Sequence, residues 1–122
     1  MNTAKVAFIA VLFCSMLMIK INFRIFAMKM IEQQAHFWEL YQDNEHYYLS
    51  VAIDMSSVVS CWYLYLSQTE ANLYQNEGRQ MVDDLVQKIV QETYRGDFSY
   101  VEMRQVSDVT QQAMLNAYKT QS

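Results

Sequence analysis

Apolar and polar residues alternate most regularly over Tyr47–Met55. Tyr47, Leu49, Val51, Ile53 and Met55 fall on one side, and Tyr48, Ser50, Ala52 and Asp54 on the other. A period of two predicts a strand. Val58–Leu66 repeats it, with Trp62, Leu64 and Leu66 on one face and Val59, Cys61, Tyr63 and Tyr65 on the other. Ser56-Ser57 between them makes an antiparallel hairpin the simplest arrangement, although no Gly or Asn marks a tight type I′ turn. The period then lengthens. Ser67-Gln-Thr-Glu70 spells a capping box, and Leu73, Tyr74, Met81, Val82, Leu85, Val86, Ile89 and Val90 follow at helical spacing. Gly78 either splits this stretch into two helices or admits a close neighbour, and Tyr94-Arg-Gly-Asp97 ends it, with Gly96 suited to a helix C′ position.

The flanks are less regular. Lys29–Gln42 reads as a helix, because Ile31, Gln34/Ala35, Trp38 and Tyr41/Gln42 recur at helical intervals, and Asp43–His46 reads as a polar turn. Phe98–Val106 alternates like a strand, and Ser107 suits the N-cap of a last helix through Ala117/Tyr118. The expected order is α-β-β-α-β-α. This is a small single-domain α+β fold, with a three-stranded, mainly antiparallel sheet packed against a long amphipathic helix.

Residues 1–27 differ from the acidic α+β domain expected over 28–122. Val6–Ile19 is a run of 14 residues without a charge, shorter than the ~20 needed to span a bilayer. Three readings stay open for it. It is a short membrane anchor, with Lys20, Arg24 and Lys29 keeping the domain cytoplasmic at an inner membrane. It is an upstream extension, with translation starting at Met28 or Met30. Or it is a buried element, since Ile19, Ile21, Phe23 and Ile25 alternate with Lys20, Asn22 and Arg24.

Charge narrows the class of partner. The whole chain carries a formal −4, but residues 32–122 hold all thirteen acids against five bases, a formal −8. Such a surface repels nucleic acid and anionic lipid and speeds association with a basic protein. Composition excludes more. Two glycines cannot build a GxGxxG or P-loop phosphate cradle. Cys14, Cys61, His36 and His46 follow no metal-ligand spacing, so no metal and no cofactor is expected. Cys61, mid-strand, reads as a buried thiol in a reducing, cytoplasmic setting. Ser56, Ser57 and Ser60 sit in no nucleophile motif, and an enzyme would have to assemble Asp54, His46 or Glu70 from separate elements. The expectation is a non-enzyme.

The aromatic set Trp38, Tyr41, Tyr47, Tyr48, Trp62, Tyr63 and Tyr65 loads both faces of the hairpin. Some of these side chains must therefore reach a rim or the surface, beside acids, as in protein-binding hot spots. The stretch Tyr47-Tyr-Leu-Ser-Val-Ala-Ile-Asp…Trp62-Tyr-Leu-Tyr-Leu-Ser-Gln-Thr-Glu70, followed by Tyr74…Gly78-Arg-Gln-Met and an acidic helix, resembles small bacterial immunity proteins of contact-dependent toxin systems. The resemblance spans residues 30–106. It implies a cytoplasmic inhibitor that covers the active site of a basic partner such as a nuclease toxin. The expected contact residues are Asp43, Glu45, Tyr48, Asp54, Tyr63, Tyr65, Glu70, Glu77, Asp83 and Asp84. The alternative is a membrane-anchored accessory subunit, touching the membrane through residues 6–27, with a cytoplasmic α+β domain. Pairing of two copies through an exposed Phe98–Val106 edge would give a homodimer.

Overall fold

The two alternating segments form neighbouring strands, and the sheet they start is larger than expected. A computed structural model describes residues 28–121. Val6–Ile19, the alternation over Ile19–Ile25 and Cys14 lie outside the described residues. Four strands, β1 (Lys29–Gln34), β2 (Trp38–Gln42), β3 (Tyr47–Asp54) and β4 (Val59–Tyr65), pair antiparallel in chain order. Four helices follow: α1 (Gln68–Glu77), α2 (Arg79–Tyr94), α3 (Ser99–Met103) and α4 (Asp108–Gln121). The α+β class holds, and among the described residues there are four strands in place of three, all of them preceding the helices.

Two segments account for the difference. Lys29–Gln42 is a hairpin, not a helix. A helix would set Trp38 and Tyr41 on one face, but the strand sends them to opposite faces, Trp38 into one core cluster and Tyr41 into another. The turn between β1 and β2 is closed by Phe37 N–H donating to the Gln34 carbonyl at 2.9 Å, with His36 at φ 67°. His tolerates that left-handed backbone better than most residues, so no glycine announces the turn. Phe98–Val106 is not a strand either. Asp97 Oδ1 accepts from both the Ser99 amide and hydroxyl, starting the short α3, which buries Val101. Only Leu64 and Gln105 form a β-bridge, flanked by Tyr65 N–H to the Arg104 carbonyl and Val106 N–H to the Tyr63 carbonyl. Residues 104–106 thus cover part of the β4 edge and offer no strand of their own to a second copy.

The sheet is buried on both faces. On the first, Trp38, Leu40, Leu49, Val51, Ile53 and Leu64 share a cluster with Met81, Val82, Val86 and Ile89 of α2 and Val101 of α3. On the second, Tyr41 packs with Met114 and Ala117 of α4, bordered by Met30, Tyr48 and Tyr63. Each fully buried aliphatic side chain contributes about 1.5–3 kcal/mol. Surface pairs such as Arg79–Asp83, at 3.9 Å and largely exposed, contribute about 0–1 kcal/mol. Burial therefore fixes the layering. Among the described residues, no helix is long and apolar enough to cross a membrane.

The helix boundaries follow the signals in the chain. Ser67 Oγ accepts from Glu70 N–H, and Glu70 Oε1 accepts from Ser67 N–H at 2.8 Å, the reciprocal capping box. Ser107 Oγ likewise accepts from Thr110 N–H at the start of α4. Gly96, at φ 87°, closes α2: its N–H reaches the Thr93 carbonyl and Asp97 N–H reaches Glu92, a Schellman motif. Gly78 separates α1 from α2 at φ 70°, ψ −145°, a region open essentially to glycine alone. Nothing lies within 4 Å of where its Cβ would stand, so it is there for its backbone freedom and not for a close neighbour. Gly78→Ala should cost about 1–3 kcal/mol through backbone strain. Urea unfolding checks this, and an unchanged midpoint would contradict it.

Candidate functional site

Gly78 separates α1 from α2, and residues of both helices line a groove of about 320 Å³. Leu73, Met81 and Leu85 supply its apolar strip, with Leu73 41% exposed. Glu70, Glu77 and Asp84 supply carboxylates along it, and Lys88 stands among them. Asp83 and Asp84 part company here. Consecutive helical residues point ~100° apart, so Asp84 faces the groove while Asp83 lies 3.9 Å from Arg79. Arg79 in turn donates to Gln34 at 2.9 Å, approaches Glu32 at 3.7 Å and sits 4.8 Å above the Trp38 ring. Asp83 is thereby part of the brace between α2 and β1.

The other expected contact residues do not share one surface with the groove. Asp43 is occupied locally, accepting from the Glu45 and His46 amides and from the Tyr48 hydroxyl at 2.9 Å. Tyr48 and Tyr65 border a separate cleft of about 270 Å³ against Val106 and Thr110. Asp54 stands by the β3–β4 turn, where its carboxylate accepts from Ser56 N–H and its carbonyl from the Tyr94 hydroxyl. Tyr63 lies on the second sheet face. The ten residues therefore divide among several sites, and three of them, Glu70, Glu77 and Asp84, meet.

Glu70 also has an internal task. Beyond its cap, it accepts from the Tyr100 hydroxyl at 2.8 Å and from Arg104 at 2.6 Å, tying α1 to α3. Arg104 is stacked 4.9 Å from the Tyr100 ring and 5.6 Å from Tyr65. Burial works to raise the Glu70 carboxyl, but the Ser67 amide, the Tyr100 hydroxyl and the Arg104 cation outweigh it and hold it below its ordinary value.

The second sheet face holds residues that a helical reading of 29–42 hides. The register aligns Glu39, Ser50 and Tyr63 in one row across β2, β3 and β4, and Tyr41, Tyr48 and Tyr65 in the next. Ala52 lies opposite Cys61, and its N–H donates to the Phe37 carbonyl. Because β3 contributes only Ser50 and Ala52 at the middle of this face, a hollow of about 200 Å³ opens between the tall side chains and α4. Burial raises the Glu39 carboxyl above its ordinary value, offset in part by hydrogen bonds from Ser50 and Tyr41 and by His36. Tyr63 is raised by burial first and then by Cys61 and Glu39. Cys61 is exposed, not buried as expected, because it stands on the edge strand, before the part of β4 that residues 104–106 cover. Once 38–42 is read as a strand, Glu39 and Tyr41 fall on one face; the hollow itself requires the register of three strands. Among the described residues, no three His, Cys, Asp or Glu side chains converge to hold a metal.

Comparison with family models, with curated proteins and with solved structures gives no match to this chain.

Two of the perturbed carboxyls, Glu70 and Glu39, act oppositely on stability. Glu70, lowered in the fold, stabilises above its unfolded value near 4.5, and that contribution fades as pH falls through its folded value. Glu39, raised in the fold, costs stability once pH exceeds its folded value, and the cost vanishes below its unfolded value near 4.5. Glu70→Gln should therefore lower the urea midpoint at pH 7, and Glu39→Gln should raise it. Both differences should shrink towards pH 3.5, and shifts of the same sign would contradict the assignment.

Proposed function

We propose that this protein is a non-enzymatic binding module that neutralises a basic protein partner, such as a nuclease toxin, through the α1–α2 groove. The observation that carries the reading is the groove's make-up, an apolar strip of Leu73, Met81 and Leu85 bordered by the carboxylates of Glu70, Glu77 and Asp84. A basic amphipathic segment complements both parts: its apolar side chains fill the strip while its Lys or Arg side chains meet the acids. The formal −8 over residues 32–122 adds long-range attraction to the same partner. A nuclease must present a cationic surface to phosphate, which makes it a natural target for an acidic plug.

Glu77 and Asp84 are the residues through which to test this, because Glu70 also caps α1 and binds Arg104. The full chain, used to capture proteins from its native source, should retain one stoichiometric basic protein whose retention weakens as salt rises. The pair Glu77→Lys with Asp84→Lys should abolish capture, and Leu73→Asp should weaken it by about tenfold or more, a loss of ~1.4 kcal/mol of contact. Equal capture by all variants would place the interface elsewhere.

A further inference from the structure

The hollow on the second sheet face has a composition unlike the rest of the surface. Its floor is the small pair Ser50 and Ala52, and one carboxylate, Glu39, lines it. Three tyrosines, Tyr41, Tyr63 and Tyr118, line it with that carboxylate, and His36 and Cys61 complete its polar lining. Among the described residues no Lys or Arg is ion-paired to Glu39; Ser50 stands opposite it in the sheet register, and His36, which also lines the hollow, is the basic side chain that acts on its carboxylate. A partly buried carboxylate without a Lys or Arg partner, set among tyrosine side chains, attracts a cation twice, by charge and by the negative faces of the π systems. The space is about 200 Å³, below the ~300–1,000 Å³ that receives drug-sized ligands, so its occupant is a small group. One carboxylate without further hard ligands does not suit a metal ion.

We propose that this hollow binds a small alkylammonium group, with Glu39 as the counter-charge and the rings of Tyr41, Tyr63 and Tyr118 as its cage. A carboxylate ligand is repelled by Glu39. A neutral alcohol of the same shape fills the apolar part of the space and forgoes the charge. The group arrives either on a free amine or at the tip of a lysine side chain of another protein. The site lies on the face of the sheet opposite α1 and α2, so it stands whether or not the groove binds a partner.

The full chain, isotopically labelled, would be titrated with n-butylammonium, with the end-blocked tripeptide N-acetyl-Gly-Lys-Gly-amide and with 1-butanol, following the resonances of Tyr63, Ala52 and Leu115. Both ammonium probes should shift these signals at saturable concentrations, and the alcohol should bind about tenfold more weakly or worse. Tighter binding of the tripeptide than of butylammonium assigns the head group to a protein lysine; the reverse assigns it to a free amine. Glu39→Gln should remove the preference for ammonium over alcohol while leaving the fold intact. Ala52→Leu, which fills the hollow without touching the carboxylate, should abolish binding of all three probes. Equal affinity for alcohol and ammonium in the unaltered chain, or shifts that survive Ala52→Leu, would overturn the proposal.

Discussion

Everything in this molecule is hung on the alternation along β3. Leu49, Val51 and Ile53 go one way, into the apolar layer shared with α2, and Tyr48, Ser50 and Ala52 go the other way. A one-residue slip would exchange these sets, placing serine and alanine against α2 and a run of aliphatics against α4. Because β3 is paired on both sides, that parity sets the parity of β2 and β4 as well. The first face is filled by aliphatic burial; the second, with small side chains at its centre, is left partly hollow. The layering and the hollow thus share one cause.

The helices hold their places by a smaller set of specific contacts. Glu70 is the busiest side chain, closing the α1 cap and receiving Tyr100 and Arg104 from around α3. Arg79 does comparable work beside β1, reaching Gln34, Glu32 and Asp83 while lying over Trp38. The hydroxyl of Tyr74 donates to the same Glu32, and its ring meets Tyr47 edge-on. These contacts tie the two helices on either side of Gly78 to the sheet, and both helices line the groove. Asp83 and Glu70, the latter with both carboxylate oxygens engaged, are correspondingly less free to meet a partner than Glu77 and Asp84, the second of which accepts only a local bond from Gln80 at 2.9 Å.

Much of this was legible in the chain, and what was hidden has a physical reason. The β3–β4 hairpin, both serine caps, the Gly78 break and the Gly96 stop are local signals, each satisfied within a few residues. The β1–β2 hairpin was not legible because its turn uses His36 in a left-handed conformation, and because Ile31, Trp38 and Tyr41 happen to recur at helical spacing. Residues 98–106 alternate for a tertiary reason: Val101 enters the core while 104–106 dock on the β4 edge. The separation of Asp83 from Asp84 follows from helix geometry alone. Which of them faces a groove depends on where α1 turns back, and the Glu39 hollow depends on the joint register of three strands, which no single segment encodes.

The α1–α2 groove is the surface we propose for a basic partner. Carbodiimide-driven carboxylate labelling of the full chain, alone and in its isolated complex, reads that surface residue by residue. Glu77 and Asp84 should lose reactivity on complex formation, whereas the exposed Asp97 and Glu102, outside the groove, should keep theirs. Unchanged labelling at Glu77 and Asp84 in a complex that protects other carboxylates would contradict the account.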